Sequence, residues 1–219
     1  MPRQVRIVIP NTPHHITQRG NYQQDIFDHE KHYKQYCKWI DDYAEHHDLE
    51  ILAYCLMKNH VHFIVIPKEE HCLAKVFKIV HAMHAQYMNK QRKTKGHLWQ
   101  GRFYSCVLDD AHLYRAIRYV ENNPVRADLV KDAWEYKWSS ASDHTGDRKK
   151  GLIRLGVYNT ITPKDWHDYL KESDTDMTNE IKSKTNRGLV VGTNEFITYL
   201  EKRLNRSLQY LRQGRPTKR

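Results

Sequence analysis

Apolar positions repeat along the chain with two spacings, one of two residues and one of three to four. Residues 14–19 (HHITQR) alternate and then meet Gly20-Asn21, which predicts a strand running into a turn. Over residues 29–47, Tyr33, Tyr36, Cys37, Ile40 and Tyr43/Ala44 fall at helical spacing with acids opposite them, so an amphipathic helix ending near Asp48 is predicted. Residues 50–57 and 61–66 are β-rich runs separated by Lys58-Asn59, the signature of a tight hairpin. A second helix is predicted over 72–91, with Val76, Ile79, Val80, Met83 and Tyr87 on one stripe. After a basic loop, residues 103–108 read as a fourth strand. Asp109 or Asp110 then caps a third helix that runs through Asn122 and is stopped by Asn123-Pro124.

The order β-α-β-β-α-β-α predicts an α+β fold of the ferredoxin-like, split β-α-β kind. Its antiparallel sheet would carry helices on one face and leave the other face for a site. This main unit is expected over residues 1–148, followed over 149–219 by a helical extension and a basic C-terminal tail. Thr162-Pro163-Lys164-Asp165 has capping-box spacing and opens a short helix, and Phe196, Leu200, Leu204, Leu208 and Leu211 mark another. Between them, residues 172–188 read as polar linker.

Composition narrows the function. The 219 residues are 39% hydrophobic, enough for one domain-sized core. The longest apolar runs are far below the roughly 20 residues a membrane helix needs, and Pro10 and Pro13 break the N-terminal apolar stretch. A cytoplasmic protein without a membrane partner is therefore expected. Cys37, Cys55, Cys72 and Cys106 are widely spaced and suit reduced thiols. The formal net charge is +10 and unevenly spread. Residues 20–50 have a local balance of −5, whereas residues 88–103 hold five bases and no acid, and residues 186–219 carry +6. A polyanionic partner fits this distribution. Trp99, Arg102, Phe103 and Tyr104 interleave rings and guanidinium planes as a base-stacking surface would, although a core Trp and Phe would look the same.

Strand alternation in NHVHFIVIP puts His60 and His62 on one face, with α-carbons about 6.6 Å apart, where two imidazoles can converge on one metal. Fifteen histidines in the chain give about one such H-x-H by chance, so spacing alone permits the site without establishing it. On the third helix, His112, Tyr119 and Asn123 cluster at the flank of the Leu113, Ile117 and Val120 stripe. The same Tyr and Asn also suit a core-edge aromatic and a helix terminator.

Four segments in order, NHVHFIVIP, LWQGRFYSCVLD, YVENNPVRADLV and YKWSSA, resemble the single-tyrosine HUH transposases. An early HHITQRG strand and the tail around residues 213–216 are similar to their REP-associated tyrosine transposase subgroup, and the resemblance spans about residues 5–145 plus the tail. It implies a divalent metal, magnesium or manganese, on His60 and His62. It also implies Tyr119 as the nucleophile and Asn123 as the polar residue that completes the metal site. Distant relatives often carry Gln at that last position, and the shorter Asn can work through a bridging water. The product implied is a 5′-phosphotyrosine link with a free 3′-hydroxyl on single-stranded or hairpin DNA from palindromic repeats.

Free tyrosine has a pKa near 10, so such a site must activate it. Tyr104 is a rival nucleophile that lacks a polar residue at i+4, and His112 is a candidate acid or base. Gln18, Arg19, Asn21, Trp99, Arg102, Arg212 and Arg215 are the expected DNA contacts, with the tail as a clamp, a cover or a solvated segment. A monomer is favoured over a homodimer. Two other readings use the same residues: a binding module with a ferredoxin-like sheet that cuts nothing, and a metal hydrolase in which water attacks.

Overall fold

The computed structural model describes residues 6–156 and 163–208. Its first six elements are β1 (His14–Arg19), α1 (Glu30–His46), β2 (Leu49–Met57), β3 (His60–Pro67), α2 (Cys72–Arg92) and β4 (Tyr104–Leu108). These are followed by α3 (Asp110–Glu121), α4 (Asn123–Arg126), α5 (Ala141–His144), α6 (Pro163–Lys171), α7 (Thr175–Arg187), β5 (Val190–Val191) and α8 (Asn194–Leu204). The sheet order is β2-β3-β1-β4-β5. The first four strands pair antiparallel in the ferredoxin-like arrangement, and β5 adds a short parallel strand beside β4.

Alternation along the strands divides the core between two faces. Val61, Phe63 and Val65 of β3, with Ile16 of β1, point to the side covered by α1 and α2. There they meet Tyr36, Cys37 and Ile40 of α1 and Leu73, Val76, Phe77 and Val80 of α2. Full burial of side chains this size contributes about 1.5–3 kcal/mol each.

The opposite face is not left open, as the sequence pattern suggested. Ala53, Cys55 and Met57 of β2, Ile64 of β3, and Cys106 and Leu108 of β4 pack against Leu113, Ala116, Ile117 and Val120 of α3. Trp166 and Leu170 of α6 and Met177 and Ile181 of α7 join the same cluster. The segment read as polar linker is therefore largely α7, whose buried residues Met177, Ile181 and Thr185 recur every four positions. Asp174 caps its start by accepting from the Met177 backbone N–H (3.0 Å), and Gly188 closes it in the left-handed conformation at φ 66°. The last helix is shorter than its leucine spacing implied. α8 stops at Leu204, Asn205 turns left-handed, and buried Leu208 follows outside it. Leu211, Arg212, Arg215 and the rest of the basic tail lie outside the described residues.

Three further contacts fix the site. Asp109 caps α3 through the His112 backbone N–H (2.9 Å) and accepts from the Thr193 N–H (2.8 Å), joining α3 to α8. The YKWSSA segment pairs with the free edge of β2, with Leu56 N donating to Trp138 O and Ser140 N to Tyr54 O. Gly20 ends β1 where a Cβ would lie 2.2 Å from the Gln24 carbonyl oxygen, so only glycine allows this turn. Through that turn, Gly20 N donates to Asn59 O and Asn21 N to Leu98 O, lacing the hairpin tip and the basic loop to the end of β1. No helix among the described residues is long and apolar enough to cross a membrane.

Candidate functional site

A cleft of about 610 Å³ opens at the end of the sheet where β1, β3 and β4 meet α3, α4 and α7. Sheet register brings its floor together: His62 pairs with Thr17 and Cys55, His60 with Arg19 and Met57, and Thr17 with Tyr104. His60 and His62 share this face, with ring centroids 4.9 Å apart and planes 82° apart. Tyr119 comes across from α3 and stands edge-on to His62 at 5.8 Å. Asn123 opens α4 and lines the same cleft. The histidine pair, the tyrosine and the asparagine thus converge within one chain.

Hydrogen bonds aim the imidazoles. Asn59 Oδ1 lies 2.6 Å from His60 Nδ1, and His15 Nε2 lies 2.8 Å from His62 Nδ1. The Nε2 atoms of His60 and His62 have no hydrogen-bond partner among the described residues, so these are the nitrogens left for the cleft. Burial, with the Arg19 and Arg126 charges adding to it, holds the His60 pKa down to about 4. Burial also drives His62 well below its ordinary value and brings His15 to about 3. At neutral pH all three rings are uncharged, the form that ligates metals. Asn123 Nδ2 donates back to Tyr119 O (3.2 Å) and Val120 O (3.0 Å), which leaves its Oδ1 as the free acceptor.

This donor set fits a divalent ion bound openly: two imidazole nitrogens and one amide oxygen, with the remaining positions for water and substrate oxygens. Among the described residues no group of three or more His, Cys, Asp or Glu side chains is placed to hold a metal, so any ion here depends on that mixed set.

Burial raises the Tyr119 phenol pKa, while Arg126 and Arg19 oppose the rise. Arg126, absent from the sequence expectations, donates to Tyr119 O (2.7 Å) and sets its guanidinium 4.4 Å from the Tyr119 ring centre. It lies seven residues after Tyr119 in YVENNPVRADLV, and the turn begun at Pro124 returns it to the ring. His15 was also missed, since HHITQR shows two adjacent histidines and only the register reveals which one faces His62. Lys182 and Thr185 of α7 line the far wall, in a segment whose polarity had disguised a helix. A neighbouring cleft of about 400 Å³ shares Tyr119, Arg126 and Thr178 with this one.

The other expected residues divide. Arg19 is exposed at the cleft. Gln18 also lines it, but its amide is engaged by Gly101 O at 2.7 Å. Asn21 and Arg102 lie outside the cleft lining, on the laced loop beside it. Trp99 turns inward: it is 9% exposed, donates its indole N–H to His81 O (2.7 Å) and packs on the His81 ring. It has no face for a base, and Phe103 is likewise in the core. His112 faces Asp109 at 2.5 Å instead of the cleft and is not placed to act on a group there. Tyr104, the rival to Tyr119, does line the cleft.

A family model described as IS200-like transposase matches residues 9–123, slightly more than half of the chain. The structure of a REP-associated tyrosine transposase bound to a REP hairpin aligns over 74% of this chain and 96% of its own, at 18% identity and a TM-score of 0.53, which shows a shared fold. A crystal structure of a candidate transposase from Deinococcus radiodurans R1 aligns over 55% of this chain and 97% of its own, at 19% identity and a TM-score of 0.39. No curated protein matches.

Proposed function

The chain belongs to the IS200-like transposase family, and from that premise we propose that it nicks and rejoins single-stranded or hairpin DNA through a covalent bond to Tyr119. The observation that carries this reading is the edge-on approach of Tyr119 to His62 in a cleft that also holds His60, Asn123 and Arg126. The solved relative with this fold is bound to a REP hairpin, which supports a palindromic DNA substrate.

Tyr119 Oη attacks the scissile phosphorus in line. The P–O3′ bond breaks, and the phenolic proton ends on the departing 3′ oxygen. The phosphate is then esterified to Tyr119 at its 5′ side, and attack by a 3′-hydroxyl reverses the step with no other energy source. His60 Nε2, His62 Nε2 and Asn123 Oδ1 would hold magnesium or manganese. When bound, such an ion polarises the non-bridging oxygens and stabilises the charge of the transition state. Arg126 favours the phenolate by its charge and, with Arg19, meets the phosphate backbone at the mouth of the cleft. Lys182 extends this basic lining onto α7.

The test is a denaturing gel of protein with end-labelled REP-type hairpin DNA and manganese, comparing wild type, Tyr119→Phe and a His60→Ala/His62→Ala double variant. Protein-linked label in wild type alone, abolished by chelation, is the expected result. Cutting that persists in Tyr119→Phe with a protein-linked label would move the nucleophile to Tyr104, and cleavage with no adduct would make water the nucleophile. Hairpin binding with no cleavage in manganese, or in magnesium put in its place, would make the protein a binding module.

A further inference from the structure

The cleft does not end at Tyr119. A second cavity of about 400 Å³ adjoins it, and Tyr119, Arg126 and Thr178 line both spaces, so Tyr119 stands where the two meet. The far wall of this cavity comes from residues 131–134 and from the junction of α6 and α7, all beyond the 9–123 segment that the family model matches. Its volume lies within the roughly 300–1,000 Å³ of pockets that enclose small organic ligands.

The lining has two characters. Its deeper part is apolar: Leu170 and Met177 are buried in the core cluster beneath α3, while Val125 and Trp134 are only partly covered by that cluster. Its outer part is charged, with five bases against three acids. The acids are already engaged. Glu172 pairs with Arg118, Asp174 with Arg115 and Arg118, and Asp132 caps the turn that carries Trp134. Lys131 and Lys171 are exposed and have no acidic partner among the described residues, and Lys171 Nζ lies 5.5 Å from the centre of the Trp134 ring. Asn122 Nδ2 donates to Leu170 O (2.8 Å), which leaves its Oδ1 as a free acceptor at the cavity.

An apolar slot beside unpaired cations suits a nucleotide. A base has flat faces that stack on a ring such as Trp134 and an edge that can donate to an amide oxygen, and its phosphate meets an ammonium group. A strand whose scissile phosphate lies against Tyr119 carries a nucleotide on each side of that phosphate, and two cavities that meet at Tyr119 offer a place for each.

We propose that the second cavity takes the unpaired nucleotide next to the scissile phosphate, with its base against Trp134, its edge at Asn122 Oδ1 and its backbone at Lys131 and Lys171. The proposal rests on the reading that DNA runs past Tyr119. It adds to that reading a site of base selection built mostly outside the family-matched segment.

The experiment measures metal-free affinity, so that no cutting intervenes, by fluorescence anisotropy of REP-type hairpins with unpaired flanks. Each flanking base in turn is removed to leave an abasic site. The full chain is compared as wild type, Trp134→Leu and Lys131→Gln/Lys171→Gln, and the adduct that wild type forms in manganese locates the cleaved phosphate. In wild type, removing the base that adjoins this phosphate is expected to weaken binding roughly 5- to 100-fold. In Trp134→Leu the same removal should cost about 2-fold or less, while abasic sites elsewhere in the flank cost what they do in wild type. The double lysine variant, which leaves the core untouched, should bind flanked hairpins more weakly with a flatter salt dependence, and should bind a hairpin trimmed of its flanks as wild type does. Wild-type indifference to the adjoining abasic site would overturn the proposal, as would full additivity between that site and Trp134→Leu or undiminished affinity in the lysine variant. Coupling at one flanking base with no adduct would sustain the nucleotide pocket and remove the covalent chemistry, whereas an adduct on Tyr119 with no coupling would do the reverse.

Discussion

Replacing Asp174 with alanine tests how firmly the C-terminal extension is tied to the helix that carries Tyr119. Asp174 accepts from Arg115 Nε (2.7 Å) and Arg118 Nη2 (3.0 Å) of α3 and caps α7 through Met177 N. The Arg115 hydrogen bond leads the causes that bring its pKa down to about 2 from an ordinary 3.8. At about 1.4 kcal/mol per pKa unit this corresponds to roughly 2.5 kcal/mol, which solvent around the half-open Arg115 reduces to about 1–2 kcal/mol. Loss of the cap adds about 1 kcal/mol, so Asp174→Ala should cost about 2–3 kcal/mol near neutral pH. Because the folded pKa is depressed, the ionic share is fully present above the unfolded value and is lost as pH falls through about 2. Urea unfolding of both proteins at neutral pH and near pH 2 measures the difference, and hydrogen exchange at Met177 and Thr178 reports local opening of α7. A neutral-pH cost below about 0.5 kcal/mol, or a gap of the same size at both pH values, would refute the reasoning.

Four other outcomes follow from the same geometry. Trp99→Ala should cost about 3–5 kcal/mol in thermal or urea unfolding while leaving hairpin affinity of the folded protein unchanged; a selective loss of affinity would return Trp99 to the DNA surface. Gly20→Ala forces a Cβ against Gln24 O and should destabilise by about 1–3 kcal/mol, read by the same unfolding curves. Arg126→Met removes the nearest charge that lowers the Tyr119 pKa, so the alkaline rise of the cleavage rate should move to higher pH; an unmoved profile would separate Arg126 from the phenol. The buried Glu121 carboxylate accepts from Ser140, His144 and Trp166, and its charge, against the cost of burial, raises the His144 pKa. Because that folded pKa is raised, the stability gained from the pair is present below the unfolded value near 6.5 and is lost as pH rises through the folded one. The cost of His144→Ala should therefore shrink in alkaline buffer.

Much of the fold could be read from periodicity because the main unit is locally consistent. Strand alternation, the hairpin at Lys58-Asn59, the helix stripes and the Asp109 cap each point to the elements observed. The same alternation put His60 and His62 on one face, and helical spacing put Tyr119 beside Asn123. What escaped had physical causes. α7 buries only Met177, Ile181 and Thr185, too few for an apolar stripe, so its caps at Asp174 and Gly188 were the better signal. The covered second face depends on α3 turning its stripe onto the sheet and on contacts from residues 163–191 back to it, pairings that no local pattern reveals. His15 required the strand register, and Arg126 required the turn after Pro124. Trp99 was ambiguous because a buried indole and a base-stacking one share the same sequence surroundings.

Tyr119 is the residue proposed to bond covalently to DNA, in a cleft that also contains Tyr104. The most direct measurement is peptide mass spectrometry of the protein–hairpin adduct after nuclease and protease digestion. A nucleotide-phosphate mass increment is expected on the peptide bearing Tyr119, with fragment ions that assign it to that residue. An increment on the Tyr104 peptide, or none in a reaction where the hairpin has been cut, would contradict it.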